Sequence, residues 1–123
     1  MNGISYLLDT NIIIGLYQKN LTVLDLLETK QIKIGECAYS SITRIELLSY
    51  PEITPIDVQM IESLLRRMVY LAITSAVENE TIEFRRIHKT KLPDSIIVAT
   101  AKHYQLELLT LDEKLANKAK NGV

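Results

Sequence analysis

The chain has 123 residues, 47% of them hydrophobic and 24% charged, so it can bury one core but not two, and its net charge of −1 announces no nucleic-acid partner globally, although a local basic patch would suffice. A single cysteine, Cys37, excludes an intrachain disulfide and a zinc cluster and fits a reducing compartment. The start "MNGISYLLD" lacks the basic and long apolar regions of a signal peptide, and no apolar run could span a membrane, so a cytoplasmic protein with no membrane partner is expected.

In chain order, residues 4–8 form a short apolar strand, and Asp9 ends it. Helical segments follow near 11–17 and 22–29, then a second strand over 32–39, "IKIGECAY". A helix runs from about Ser41 to Ser49. Thr54-Pro55 opens a stronger one, with Thr54 as cap and Pro55 in the first turn. Its apolar residues Ile56, Met60, Ile61, Leu64, Leu65 and Met68 keep helical spacing. "VYLAI" (69–73) is a third strand, and a polar helix covers about Ser75 to His88. Pro93 starts another helix that ends near Tyr104. "LELLT" (106–110) is a fourth strand, and "DEKLANKAK" the last helix. With no linker or repeat, 1–123 is expected to be one unit. Strands separated by helices imply right-handed crossovers, and so an α/β three-layer sandwich around a parallel sheet. The alternation leaves the strand order open.

Four acids stand where such a sheet binds ligands. Asp9 ends the first strand, Glu46 lies one helical turn past the second, and Asp112 follows the fourth after Thr110. Asp94 lies in the first turn of the helix that begins at Pro93. The C-terminal ends of parallel strands share one edge, where ligand crevices form. Each acid also sits near a helix N-terminus, where a carboxylate caps free N–H groups. "TRIE" (43–46) matches the capping box, and Asp112 suits a plain cap. Against pure capping, Asp9 and Asp94 lie in the apolar stretches "YLLDTNIII" and "LPDSIIVATA". Carboxylates buried together demand a cation, and an all-oxygen set points to Mg²⁺ or Mn²⁺ rather than zinc.

The segments "LLDTN", "SSITRIEL", "LPDSIIVATA" and "LLTLD", in this order, resemble the PIN-domain family, and in particular the compact VapC type of toxin ribonuclease. The resemblance implies a PIN-like fold with a central parallel sheet of four to five strands. It implies that Asp9, Glu46, Asp94 and Asp112 are the catalytic, metal-binding acids, accompanied by Asn11 and Thr110 as supporting polar residues. It also implies a cognate antitoxin and a homodimer. Two departures stand out: Leu115 occupies the position of a further acid common in relatives, and the chain stops at "KNGV", where many relatives continue into a short final strand.

Such a cluster suits hydrolysis of RNA phosphodiester bonds, because a bound Mg²⁺ or Mn²⁺ lowers the pKa of water and neutralises charge on the phosphate. Arg44, Lys89 and Lys91 are the candidate phosphate contacts. His88 reads as a helix-end residue, the pairs Arg66-Arg67 and Arg85-Arg86 as solvated faces, and Cys37 as core. A haloacid-dehalogenase-type phosphatase would want a second Asp where Asn11 stands, and a receiver-type switch would want an acceptor Asp after the third strand. The rival from another class is a catalytically inactive PIN-like module that binds RNA or protein.

Overall fold

A computed structural model describes residues 3–120. β1 (Tyr6–Leu8) leads into α1 (Thr10–Tyr17) and α2 (Leu21–Thr29). β2 (Cys37–Ser40), α3 (Ser41–Leu48) and α4 (Pro55–Leu65) follow. β3 (Val69–Leu71), α5 (Ser75–Ile87), α6 (Leu92–Tyr104), β4 (Glu107–Leu109) and α7 (Glu113–Lys120) complete the order. All strand pairs are parallel, in the order β3-β2-β1-β4.

Strand alternation sorts the core into two layers. Leu8, Cys37, Tyr39 and Leu109 turn to one face, where Ile12, Ile13, Val23, Leu47, Ile61 and Leu65 of α1–α4 cover them. Leu7, Ala38, Leu71 and Leu108 turn to the other, beneath Phe84, Ile97, Val98 and Leu115 of α5–α7. This is the expected three-layer α/β sandwich, with four strands among the described residues. The end of "KNGV", where a fifth strand was in question, lies outside the described residues.

The second strand is shorter than the expected 32–39. Residues Ile34–Glu36 make a 3₁₀ turn, and pairing begins only at Cys37. The reason lies in the partner: β1 begins at Tyr6, which stands opposite Cys37. Ile32 and Ile34 pack partly buried against the core instead, and the Glu36 carboxylate accepts from Lys33 N at 3.0 Å. On α4, Ile61 and Leu65 are buried, but Ile56 and Met60 of the same apolar series are 68% and 53% exposed. The helix has one core face and carries more apolar residues than that face can cover.

The strand order positions the site. From β1 the chain moves outward to β2 and β3, then returns to place β4 on the opposite side of β1. The order therefore reverses between β1 and β4, and the crevice at their C-terminal ends is a topological switch point.

Candidate active site

Asp9 and Thr110 are neighbours because of register. Leu8 stands opposite Leu109, so the next residue of each strand emerges at the same edge, and Asp9 N donates to Leu109 O at 2.9 Å. The Thr110 hydroxyl donates to Asp9 Oδ2 at 2.7 Å. It accepts in turn from Asn11 Nδ2 at 3.3 Å and from the Asp112 amide at 3.1 Å. A hydroxyl has one proton and two lone pairs, so Thr110 is fully used. Asn11 also accepts from Leu111 N at 3.2 Å, which ties α1 to the segment after β4. Asn11 and Thr110 thus stand beside Asp9, as the resemblance implies.

The other Asp9 oxygen, Oδ1, accepts from Thr10 N at 2.7 Å, so Asp9 is the N-cap of α1. It remains 6% exposed. Burial pushes its carboxyl above the usual range, the bonds from Thr110 and Thr10 pull it back, and the nearby charges of Asp94 and Glu46 push it up again. Those charges show that three of the four acids share one electrostatic neighbourhood. Asp94 reaches it from the first turn of α6, half-buried. Glu46 reaches it from α3, exposed, with Oε1 accepting from the Thr10 hydroxyl at 2.8 Å.

The capping reading divides between the acids. Ser40, not Thr43, caps α3 through Ile42 N at 3.2 Å. Thr43 lies inside the helix, so "TRIE" is no capping box and Glu46 is left for another role. Asp112 does cap, accepting from Leu115 N at 3.1 Å, and it is exposed. Its link to Asp9 runs through its amide and Thr110. Leu115, where the resemblance would look for a further acid, is 3% exposed and packs in the second core layer.

The donor set is all carboxylate and hydroxyl oxygen, which fits a hard divalent cation. Among the described residues, no three acid, histidine or cysteine side chains are gathered tightly enough to grip one ion as placed. The charges of Asp94 and Glu46 bear on Asp9 and raise its carboxyl.

The basic candidates separate. Arg44 and Glu46 are two positions apart on α3, about 200° around the helix, so they point to opposite sides. Arg44 pairs with Glu62 of α4 at 2.9 Å and is not brought to the acids. Lys89 and Lys91 are exposed on the segment that leads into α6 and its Asp94. His88 is the C-cap of α5, and Cys37 is buried in β2 with its thiol pushed up to about 11 by burial. Sequence reasoning missed Thr10 and Thr43. Their signal was present: Thr10 follows the strand-end acid directly, and Thr43 precedes Glu46 by three positions, on the same helix face.

Beside Glu46 runs an apolar groove of about 300 Å³ between α1, α3 and α4, lined by Ile13, Ile14, Tyr17, Tyr50 and Ile53. The Tyr17 hydroxyl donates to Asp57 at its far wall. Among the described residues, no helix is long and apolar enough to cross a membrane.

Comparison with known proteins gives a consistent picture. The family model described as PIN domain matches residues 6–121. Comparison with curated protein sequences gave no match. A toxin–antitoxin complex from Klebsiella pneumoniae contains a chain 31% identical to this one, with a TM-score of 0.77, covering 89% of this chain and 88% of that one. FitAcB from Neisseria gonorrhoeae is 24% identical with a TM-score of 0.77, covering 94% and 93%. DNA-bound VapBC from Salmonella typhimurium is 20% identical with a TM-score of 0.69, covering 84% and 83%. The last two show the shared fold.

Proposed function

The chain belongs to the PIN-domain family, and on that premise we propose that it is a metal-dependent endoribonuclease of the VapC type and the toxin of a toxin–antitoxin pair. The observation that carries the reading is Asp9, buried at the β1/β4 crevice, with Glu46 tied to it through Thr10, Asp112 through Thr110, and the charge of Asp94 bearing on it. Residues 1–123 act as one cytoplasmic nuclease unit in this reading.

Asp9, Asp94, Glu46 and Asp112 are the residues that would hold Mg²⁺ or Mn²⁺. When bound, such a cation lowers the pKa of water and neutralises charge developing on the phosphate and the leaving oxygen. Asn11 and Thr110 hold the Asp9 carboxylate in one orientation. Glu46 orients the attacking water. Lys89 and Lys91 meet the RNA backbone on the approach to Asp94. The groove next to Glu46 accepts an apolar segment of the antitoxin. A basic side chain from that segment, laid among the acids, would neutralise them and block the cation. The relative in the Klebsiella toxin–antitoxin complex supports that partner.

The test is incubation of purified protein with cellular RNA in Mg²⁺, in Mn²⁺ and in excess chelator, with the cleavage ends mapped. Cleavage is expected with either metal and not in chelator. Undiminished cleavage in chelator would sink the reading. The alternative is an inactive PIN-like module that binds RNA or protein. That module would show no cleavage and gain little thermal stability from Mn²⁺.

A further inference from the structure

We propose that Thr10 is the positioning residue for Glu46, joining the acid of α3 to the acid at the end of β1. Its consequence for catalysis rests on the nuclease reading above; the positioning itself does not. Thr10 bonds two carboxylates through two of its own atoms: its N–H donates to Asp9 Oδ1 at 2.7 Å, and its hydroxyl donates to Glu46 Oε1 at 2.8 Å. No other contact described for Glu46 fixes its carboxylate to the β1 edge.

The Thr10 hydroxyl also lies 3.1 Å from Thr43 Oγ1. One proton cannot serve both neighbours. The ionised carboxylate is the stronger acceptor and the closer one, so the Thr10 proton goes to Glu46. Thr43 then turns its own proton to the Thr10 oxygen. The result is a relay, Thr43 to Thr10 to Glu46, in which each bond polarises the next. Thr43 is fully buried at 0% exposure, so its end of the relay is fixed by the core. Thr10 is β-branched and stiff about χ1, so the backbone that caps on Asp9 also aims the hydroxyl.

An exposed glutamate is otherwise free to sample its rotamers, and a group that must meet water or metal in one place loses rate to that freedom. A hydrogen bond to a charged group is strong enough to hold one arrangement, and its loss corresponds to about a ten- to hundredfold effect.

The test compares the parent with Thr10→Val, which keeps shape and branching but removes the hydroxyl, with Thr10→Ser, which restores it, and with Thr43→Val. In metal-free protein in chelator, three-bond couplings report the Glu46 χ1 distribution. One dominant rotamer is expected in the parent and in T10S, and averaging in T10V; T43V is expected to fall between. In Mg²⁺, T10V is expected to lose about ten- to a hundredfold in kcat for RNA cleavage with KM nearly unchanged. T10S should recover most of it. Equal Glu46 averaging in parent and T10V, parental kcat in T10V, or a T10S variant as impaired as T10V would each overturn the proposal. If the parent cleaves no RNA with either metal, the nuclease reading fails while the metal-free couplings still decide the positioning role.

Discussion

Asp9 is the acid on which burial acts most, and its surroundings dictate which substitution tests the cluster. Asn at position 9 would present an N–H₂ to Thr110, whose lone pairs already serve Asn11 and Asp112. Asp94→Asn is cleaner, because Asp94 is half-buried and contributes repulsion to Asp9. That variant is expected to lose cleavage while the metal-free protein gains stability. The gain stays below about 1 kcal/mol, since one pKa unit of relieved repulsion is worth about that and solvent screens a half-buried charge. Mn²⁺ should stabilise the variant less than the parent, by mass action. Thermal melts in chelator and in Mn²⁺ check both statements; a variant that melts lower in chelator and still cleaves RNA refutes them. The pH dependence follows from the same residue. The folded-state pKa of Asp9 lies above its ordinary value of 3.8. The folded state therefore binds this proton more tightly than the unfolded chain, and the contribution of Asp9 to stability falls as pH rises from 3.8 through the folded pKa. Asp57 is shifted the other way, chiefly by the Tyr17 hydroxyl, and its contribution is lost only as pH falls below 3.8. Urea denaturation in chelator as pH rises from 3.8 should show metal-free stability declining, with a shallower decline in D94N. A parent curve that rises through that window would contradict the assignment.

At the scale of elements, α1 and α2 approach closely at Gly15. Gly15 sits buried in α1, and a Cβ there would stand 2.3 Å from Val23 Cγ2 and 2.9 Å from Val23 Cβ. Val23 is fully buried at the start of α2 and branched, so it cannot swing aside. Replacing a helical glycine with alanine ordinarily gains up to about 1 kcal/mol of propensity. Here overpacking should outweigh it, for a net loss of about 1–2 kcal/mol. Gly15→Ala is expected to melt below the parent, and Val23→Ala in the same chain to recover part of the loss. A G15A melt at or above the parent would show that the helices separate without cost. The glycine in "IIIGLY" is a weak point for the helix in isolation and the contact that lets two helices close in the folded protein.

For the whole molecule, the proposed toxin role and the homodimer that the family resemblance implies make two measurable claims. Expression of the chain alone from a tightly controlled promoter is expected to arrest growth, and D94N to relieve the arrest at equal soluble level. Normal growth with abundant soluble parent protein would count against a toxin. In solution, the purified chain is expected at twice its mass of 14.0 kDa by light scattering. The exposed Ile56 and Met60 of α4 offer apolar surface that a self-complementary contact would cover. A mass of one chain at micromolar concentration would overturn the dimer.

The sequence by itself determined the alternation of strands and helices, the caps at Thr54 and Asp112, and the placing of acids at strand ends and helix starts. These are local properties, carried by side-chain periods and by the few residues around each junction. It also marked Asp9 as an acid in apolar surroundings, and the fold buries it. Tertiary structure alone decided that β4 returns beside β1, because strand adjacency is set by crossovers and the closing of two core layers. That adjacency put Thr110 against Asp9 and brought Asp94 within reach. It also decided that Thr43 and Glu46, which fit a capping box on paper, serve Thr10 of another helix, since Ser40 had already taken the cap. Pairing length shortened the second strand, because a strand extends only as far as its neighbour. The surplus apolar residues of α4 became surface for the same reason: periodicity says which residues share a face, and only packing says which face is covered.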